Sequence, residues 1–297
     1  MKNFLYYGIT VIVWGTTWLG IKFQLGIVDP MVSVCYRFFL AALILNGYCF
    51  LARLNMRFTL HEHVLMGTQG FFLFAINYWF FYVAELYIVS GLAAVIFSTI
   101  VFMNIINGAI FLKSPVELRM IIGAFLGLVG IGLVFWPEIS NLQFTKTGLL
   151  GLSLGVAATF FASLGNIISA YNQKKRLPVI QTNAYGMAYG ALIMMATALV
   201  TERKFGFHVS PAYIGSLIYL AVFGSIIAFG CYLTLVGRIG AGRAAYASML
   251  FPLVALGIST FFEGYQWTAF AVTGVTSIMA GNLLIVKRGP FRLFGNR

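Results

Sequence analysis

The sequence predicts an all-α membrane protein of ten transmembrane helices, arranged as two inverted five-helix repeats. Three observations lead there: a composition that cannot coat a soluble body, ten apolar runs of membrane length, and an internal repeat. Of 297 residues, 61% are hydrophobic and 9% charged, with a mean hydropathy of +0.93. Soluble domains carry about 25% charged residues, so a soluble enzyme is excluded. Ten spans of about 20 residues each leave too little chain for a soluble domain.

The apolar runs fall at 5–25, 31–51, 64–86, 90–111, 119–136, 148–171, 181–200, 211–236, 242–262 and 267–286. They read as helices, because a membrane barrel would alternate polar and apolar residues in shorter runs. Asp29-Pro30, Ser114-Pro115, Leu177-Pro178, Ser210-Pro211 and Gly240-Ala241-Gly242 mark turns between them. The start, Met1-Lys2-Asn3 and an apolar run, mimics a signal peptide. No hydrophilic domain and no small-residue cleavage site follow it, so it reads as the first span.

The formal net charge is +12. Its distribution speaks for membrane orientation rather than for nucleic acid. With the N-terminus inside, fourteen Lys and Arg residues fall in cytoplasmic segments against four (Lys22, Lys146, Arg203 and Lys204) outside. This bias places both termini in the cytoplasm, and an integral protein of a bacterial inner membrane is expected. Cys35, Cys49 and Cys231 lie inside apolar runs without paired or ligand spacing and read as buried free thiols.

Residues 90–135 align without a gap on 241–286, an offset of 151: Gly91 on Gly242, Phe111 on Phe262, Gly123 on Gly274, Gly130 on Gly281. More weakly, Tyr36 and Ala42-Leu43-Ile44 match Tyr185 and Ala191-Leu192-Ile193. The expected division is 1–140 and 141–297. Each half has an odd number of spans, so the second enters the membrane from the opposite side, a plan used by transporters.

Trp14-Gly15-Thr16-Thr17-Trp18, Tyr36-Arg37-Phe38, Ser90-Gly91-Leu92-Ala93-Ala94, Ala244-Ala245 to Pro252, and Phe262-Glu263 occur in order along the chain. In these motifs it resembles the drug/metabolite transporter superfamily, in its EamA-type branch. The resemblance implies a ten-helix carrier that moves small metabolites by alternating access, often outward, as in amino-acid or drug export. The sequence departs from the family pattern in span four, where Val101 stands opposite Pro252 and Lys113 near Glu263. A symmetric two-proline hinge is therefore not expected.

A charge inside a span is costly and is a functional candidate by default. Arg37 lies within span two; Lys22, Asp29 and Glu85 fall in the same outer half. Lys22, Arg37 and Glu85 are candidates for gating or coupling, with Pro252 as a hinge. The structural alternative is an Arg37–Glu85 packing pair, with Lys22 reaching the headgroups. Candidate substrate contacts are Trp14, Thr17, Trp18, Asn77, Phe81, Ser98, Thr159, Ser163 and Ser225, a set of aromatic walls with amide and hydroxyl anchors. Asn77, Phe81 and Glu85 share a helical face. Any one of these residues is equally at home as helix glue. Gly123, Gly127, Gly151, Gly155, Gly186 and Gly190 read as close helix contacts.

His61, Glu62, His63 and His208 lack metal-ligand spacing, and no phosphate-binding Gly-Lys-Ser/Thr loop occurs. No enzyme activity, metal or other cofactor is expected. The expected partners are a small-molecule substrate and the lipid bilayer, with no nucleic acid. The alternatives to a carrier are a non-transporting receptor or assembly partner, and a lipid-type flippase.

Overall fold

Local chemistry starts the helices where the turn signals stand. The Asp29 carboxylate accepts from the Met31 N–H at 2.8 Å, with Pro30 at the first helical position. Thr59 and Glu62 form a reciprocal capping box, Thr145 caps through Gly148 N–H, and Ser210 caps ahead of Pro211. The computed structural model describes residues 2–26, 28–88, 90–140, 145–251, 253–254, 257 and 267–286. Its helices are α1 (Lys2–Lys22), α2 (Pro30–Leu51), α3 (Leu60–Ala84), α4 (Ser90–Ser98), α5 (Ile100–Leu112), α6 (Leu118–Val134), the short α7 (Trp136–Ser140), α8 (Lys146–Lys174), α9 (Val179–Val200), α10 (Pro211–Ile239), α11 (Ala241–Ala245) and α12 (Ala269–Val286). No strand occurs among the described residues.

Among the described residues, seven helical stretches are long and apolar enough to cross a membrane: α1, α2, α3, Val95–Leu112 across α4 and α5, α8, α9 and α10. Leu118–Val134 and Ala269–Leu284 are apolar but shorter. Pro252, Glu263 and the basic tail Lys287, Arg288, Arg292 and Arg297 lie outside the described residues, as do the side chains of Trp18, Ser90 and Ala94. Cys35 and Cys49 are buried free thiols as expected, whereas Cys231 is only half-buried.

Helices that match in the internal repeat pack on each other. A Cβ added at Gly130 of α6 would stand 2.5 Å from the Gly274 carbonyl oxygen of α12, and one at Gly274 2.5 Å from that of Gly130. Further along, one at Gly281 would stand 2.6 Å from the carbonyl oxygen of Gly123. Since 123 meets 281 and 130 meets 274, the two helices run antiparallel. Between these contacts, Ser277 donates to the carbonyl of Leu126, its own counterpart 151 residues away, at 2.8 Å. In the same way α2 lies antiparallel on α9: Cys35 Sγ approaches the Ala191 carbonyl at 3.5 Å, and Asn46 Nδ2 donates to that of Ala184 at 3.2 Å. Small residues make these approaches possible.

Two irregularities also recur. α3 winds as a π-helix over Phe71–Ile76 and α10 over Leu220–Ile227; adding 151 to 71–76 gives 222–227, inside the second. Within the span expected at 90–111, where Val95–Leu112 is one membrane-length stretch, the helix is interrupted by a turn at Thr99, between α4 and α5. In the second half Tyr246–Leu250 tightens to a 3₁₀-helix, at the matching place. Span four therefore interrupts its helix without a proline, two residues before Val101.

Candidate functional site

The breaks and π-turns converge on one cavity of about 70 Å³ in the middle of the bundle. That is room for several waters or a compact organic group. Its walls are Trp14, Thr17 and Ile21 of α1, Arg37 of α2, Leu73, Asn77, Tyr78 and Phe81 of α3, and Phe97 and Ile100 of α4–α5. They are completed by Ala162 and Asn166 of α8, Phe229 and Tyr232 of α10, and Ser248 and Phe251 beyond α11. The repeat offset pairs much of this wall: Tyr78 with Phe229, Phe81 with Tyr232, Phe97 with Ser248, Ile100 with Phe251. The cavity thus lies between matched surfaces of the two halves.

The π-turn in α10 frees a carbonyl for use across the bundle. The Ala228 N–H turns to Phe223 O, and the carbonyl of Gly224 accepts from Trp14 Nε1 at 2.9 Å. Trp14 is held further by the rings of Phe229, Tyr232 and Phe251, at centroid distances of 4.8, 4.9 and 5.7 Å. A side chain at 224 would collide with what it faces, since a Cβ there meets Thr17 Cγ2 at 2.9 Å and Arg37 Nη2 at 3.1 Å. Gly224 leaves room for the guanidinium.

Arg37 is 1% exposed. Its Nε donates to Ser225 Oγ at 3.0 Å, and the guanidinium carbon lies 4.6 Å from the Tyr78 ring centroid and 5.4 Å from that of Phe38. Ser225 Oγ in turn donates to Leu220 O within the π-turn, at 3.0 Å. Nη1 has no hydrogen-bond partner among the described residues, and neither have Asn77 Oδ1 and the two buried oxygens of Glu85. The expected Arg37–Glu85 pair is not formed: the ion pairs among the described residues are Arg119–Glu117, Arg203–Asp29 and Arg243–Glu117. Ser225, set in place by the π-turn, takes the position that a carboxylate was expected to fill. Lys22 is exposed, and Glu85 feels its charge without a contact within 4 Å.

A polar layer bounds one end of the cavity. Asn166 Nδ2 donates to Tyr232 Oη at 3.0 Å and reaches Asn104 Oδ1 at 3.5 Å, while Asn104 Nδ2 donates to Ala241 O at 3.2 Å. Beyond it is a second space of about 160 Å³ lined by Asn104, Ser114, Glu117, Gly240 and Arg243 among others. Glu117 ties the halves together there, with Arg243 Nη2 at 2.5 Å and Arg119 Nε at 2.5 Å. Partial burial works against its ionisation, but the two arginines prevail and hold the carboxyl below the usual carboxylate range. The bridge is therefore present at neutral pH and is lost as pH falls below that range. Glu117→Gln and Arg243→Gln should each lower Tm by about 2–4 °C, the shift of ~1 kcal/mol expected for a partly exposed pair. The double variant should lose little more, and the gap between wild type and Glu117→Gln should close in acid. Additive losses in thermal melts would mean that the two residues act separately.

The remaining sequence candidates fall in different places. Trp14, Thr17, Asn77 and Phe81 line the cavity, and Ser225 stands behind Arg37. Ser98, Thr159 and Ser163 are buried but do not line it: Thr159 donates to Gly155 O within its own helix at 2.8 Å, and Ser163 accepts from Asn107 at 2.9 Å. Asn166 and Tyr232 of the polar layer and the facing aromatics Tyr78, Phe97, Phe229 and Phe251 were not singled out from sequence as wall residues. The repeat offset carries the signal for part of this wall, since adding 151 to Phe81 leads to Tyr232.

The family model of the EamA-like transporter family matches residues 3–136 and 149–287. The chain belongs to the EamA-like transporter family. Among curated relatives of this EamA-like protein, Protein PagO of Salmonella typhimurium is 26% identical over 276 residues, covering 92% of this chain and 89% of the relative. A probable amino-acid metabolite efflux pump of Escherichia coli is 26% identical over 291 residues, covering 92% and 91%. An uncharacterized transporter of Archaeoglobus fulgidus is 22% identical over 289 residues, covering 97% and 100%. A solved structure, described as "Crystal structure of protein", shares the fold with a TM-score of 0.75 over 96% of each chain at 16% identity. The EamA-like protein is thus an integral membrane protein of a transporter family.

Proposed function

We propose that this EamA-type transporter is a secondary carrier of ten spans in two inverted halves, 1–140 and 141–297. It moves an amino acid or a similar small amphiphilic solute out of the cytoplasm by alternating access. The observation that carries the reading is the central cavity, with walls drawn from matched positions of both halves and a hydrogen-bonded layer across one end. Matched halves can exchange roles: what closes one end in one state can be closed at the other end by the counterpart elements in the next. The antiparallel packing of α6 on α12 and of α2 on α9 supports the inverted plan. Efflux is supported by the names of relatives described as probable amino-acid metabolite efflux pumps. The bias of Lys and Arg supports cytoplasmic termini, and relatives named as inner membrane transporters support that membrane.

In this reading Trp14, Thr17, Asn77 and Phe81 contact substrate, and Trp18 belongs to the same helical segment. Arg37, Glu85 and Lys22 serve coupling or gating, with Pro252 in the second half as a hinge. Purified protein in liposomes should exchange radiolabelled amino acids from a panel that also includes amphiphilic amines. Folded protein giving no flux above empty liposomes for every member of that panel would sink the carrier reading.

A further inference from the structure

We propose that the central cavity is a carboxylate site: it takes a carboxylate borne on a compact apolar body, and Arg37 Nη1 is the group that holds it. The inference rests on the carrier reading for the cavity's role, but it concerns binding and can be tested apart from flux. Arg37 is the one charged residue among the described lining. It is 1% exposed, and no carboxylate of the described residues lies within 4 Å of it. The hydroxyls of Ser225, Tyr78 and Tyr82 and the faces of Tyr78 and Phe38 compensate part of its desolvation, but none of them carries a neutralising charge. A net positive charge is therefore left at the cavity wall.

Nε is committed to Ser225, while Nη1 is buried with its N–H groups unused. A planar fork with free donors matches a carboxylate better than a neutral or cationic group. Asn77, 4% exposed, offers an unpartnered acceptor at Oδ1, which suits an N–H donor such as an α-ammonium. Around these two groups the wall is aromatic, with Trp14, Phe81, Phe97 and Phe229. The apolar wall is paired between the halves, but the charge is not. At the weaker repeat offset of 149 that pairs Tyr36 with Tyr185, the counterpart of Arg37 is Gly186. One anion-binding group therefore serves the shared cavity.

The test uses the purified full-length protein and three related probes: leucine, its deaminated acid 4-methylpentanoate, and its decarboxylated amine 3-methylbutylamine. Binding is read by calorimetry and by the fluorescence of wall tryptophan. Both carboxylates are expected to bind at least tenfold more tightly than the amine. Arg37→Gln should weaken the acids at least tenfold without weakening the amine, and Arg37→Lys should recover part of the loss. Three results overturn the proposal: amine binding equal to acid binding, unchanged acid affinity in folded Arg37→Gln, or no carboxylate binding by folded wild-type protein. The acid–amine comparison needs no variant, so it stands even where Arg37→Gln does not fold. Carboxylate binding without flux in liposomes would sink the carrier and leave the site. Flux of amines with no carboxylate binding would do the reverse.

Discussion

Valine at Gly130 is expected to abolish the folded protein, while valine at Gly132, two residues along the same helix, leaves it intact. The Cβ at 130 would stand 2.5 Å from Gly274 O, 2.8 Å from Ile278 Cγ1 and 2.9 Å from Ile278 N. Two of these neighbours are backbone atoms, which cannot turn aside as a side-chain tip can. The helices α6 and α12 must separate, and the contacts of Gly123 with Gly281 and of Ser277 with Leu126 go with them. Overpacking of this kind costs typically 1–3 kcal/mol and more where nothing yields, against a total stability of about 5–15 kcal/mol. Nothing lies within 4 Å of a Cβ at Gly132. Size-exclusion yield and thermal melting of the two variants should therefore diverge. A Gly130→Val protein with wild-type yield and Tm would show that the seam has slack.

Arg37→Ala is expected to lower transport by roughly 10–100-fold with normal insertion. A hydrogen bond to a charged group is worth about 1.5–3 kcal/mol, which corresponds to this range, and Arg37, whose Nη1 is without a hydrogen-bond partner among the described residues, is the charged residue of the described cavity lining. Stability should not fall in parallel. A cation inside a span costs about 2.5–3.5 kcal/mol at the centre on insertion scales, so its removal relieves the helix even as Ser225 loses a partner. Gly224→Ala should impair flux in the same direction, because the added methyl must displace Thr17 or Arg37. The control is Gly230→Ala on the same helix, where a Cβ meets nothing within 4 Å. Flux per inserted molecule, measured in liposomes, separates the two roles: wild-type flux in Arg37→Ala would reduce Arg37 to packing.

Several wall residues were legible from residue type and depth alone. Trp14, Thr17 and Asn77 could be proposed because polar or amphipathic groups in mid-span must face something other than lipid, and Phe81 because it shares a helical face with Asn77. That logic fails for Thr159, whose hydroxyl is satisfied by the Gly155 carbonyl one turn back, and for Ser163, which is used by Asn107. A hydroxyl can be met within its own helix or by a neighbour, and spacing does not distinguish these from a cavity. The Arg37–Glu85 pair was reasonable on depth, but depth says nothing about azimuth, and the π-turn in α10 brought Ser225 to Arg37 instead.

Composition, apolar run length and basic-residue bias by themselves determined an all-helical membrane chain with an internal repeat, because the bilayer allows so few ways to satisfy a backbone. The tertiary structure decided which repeat positions meet, where the helices change pitch, and that the buried arginine faces a cavity without a carboxylate of the described residues beside it. Those outcomes depend on contacts between segments some 150 residues apart, as with Leu126 and Ser277 at 151. Local periodicity carries no information about which distant carbonyl or ring a side chain will find.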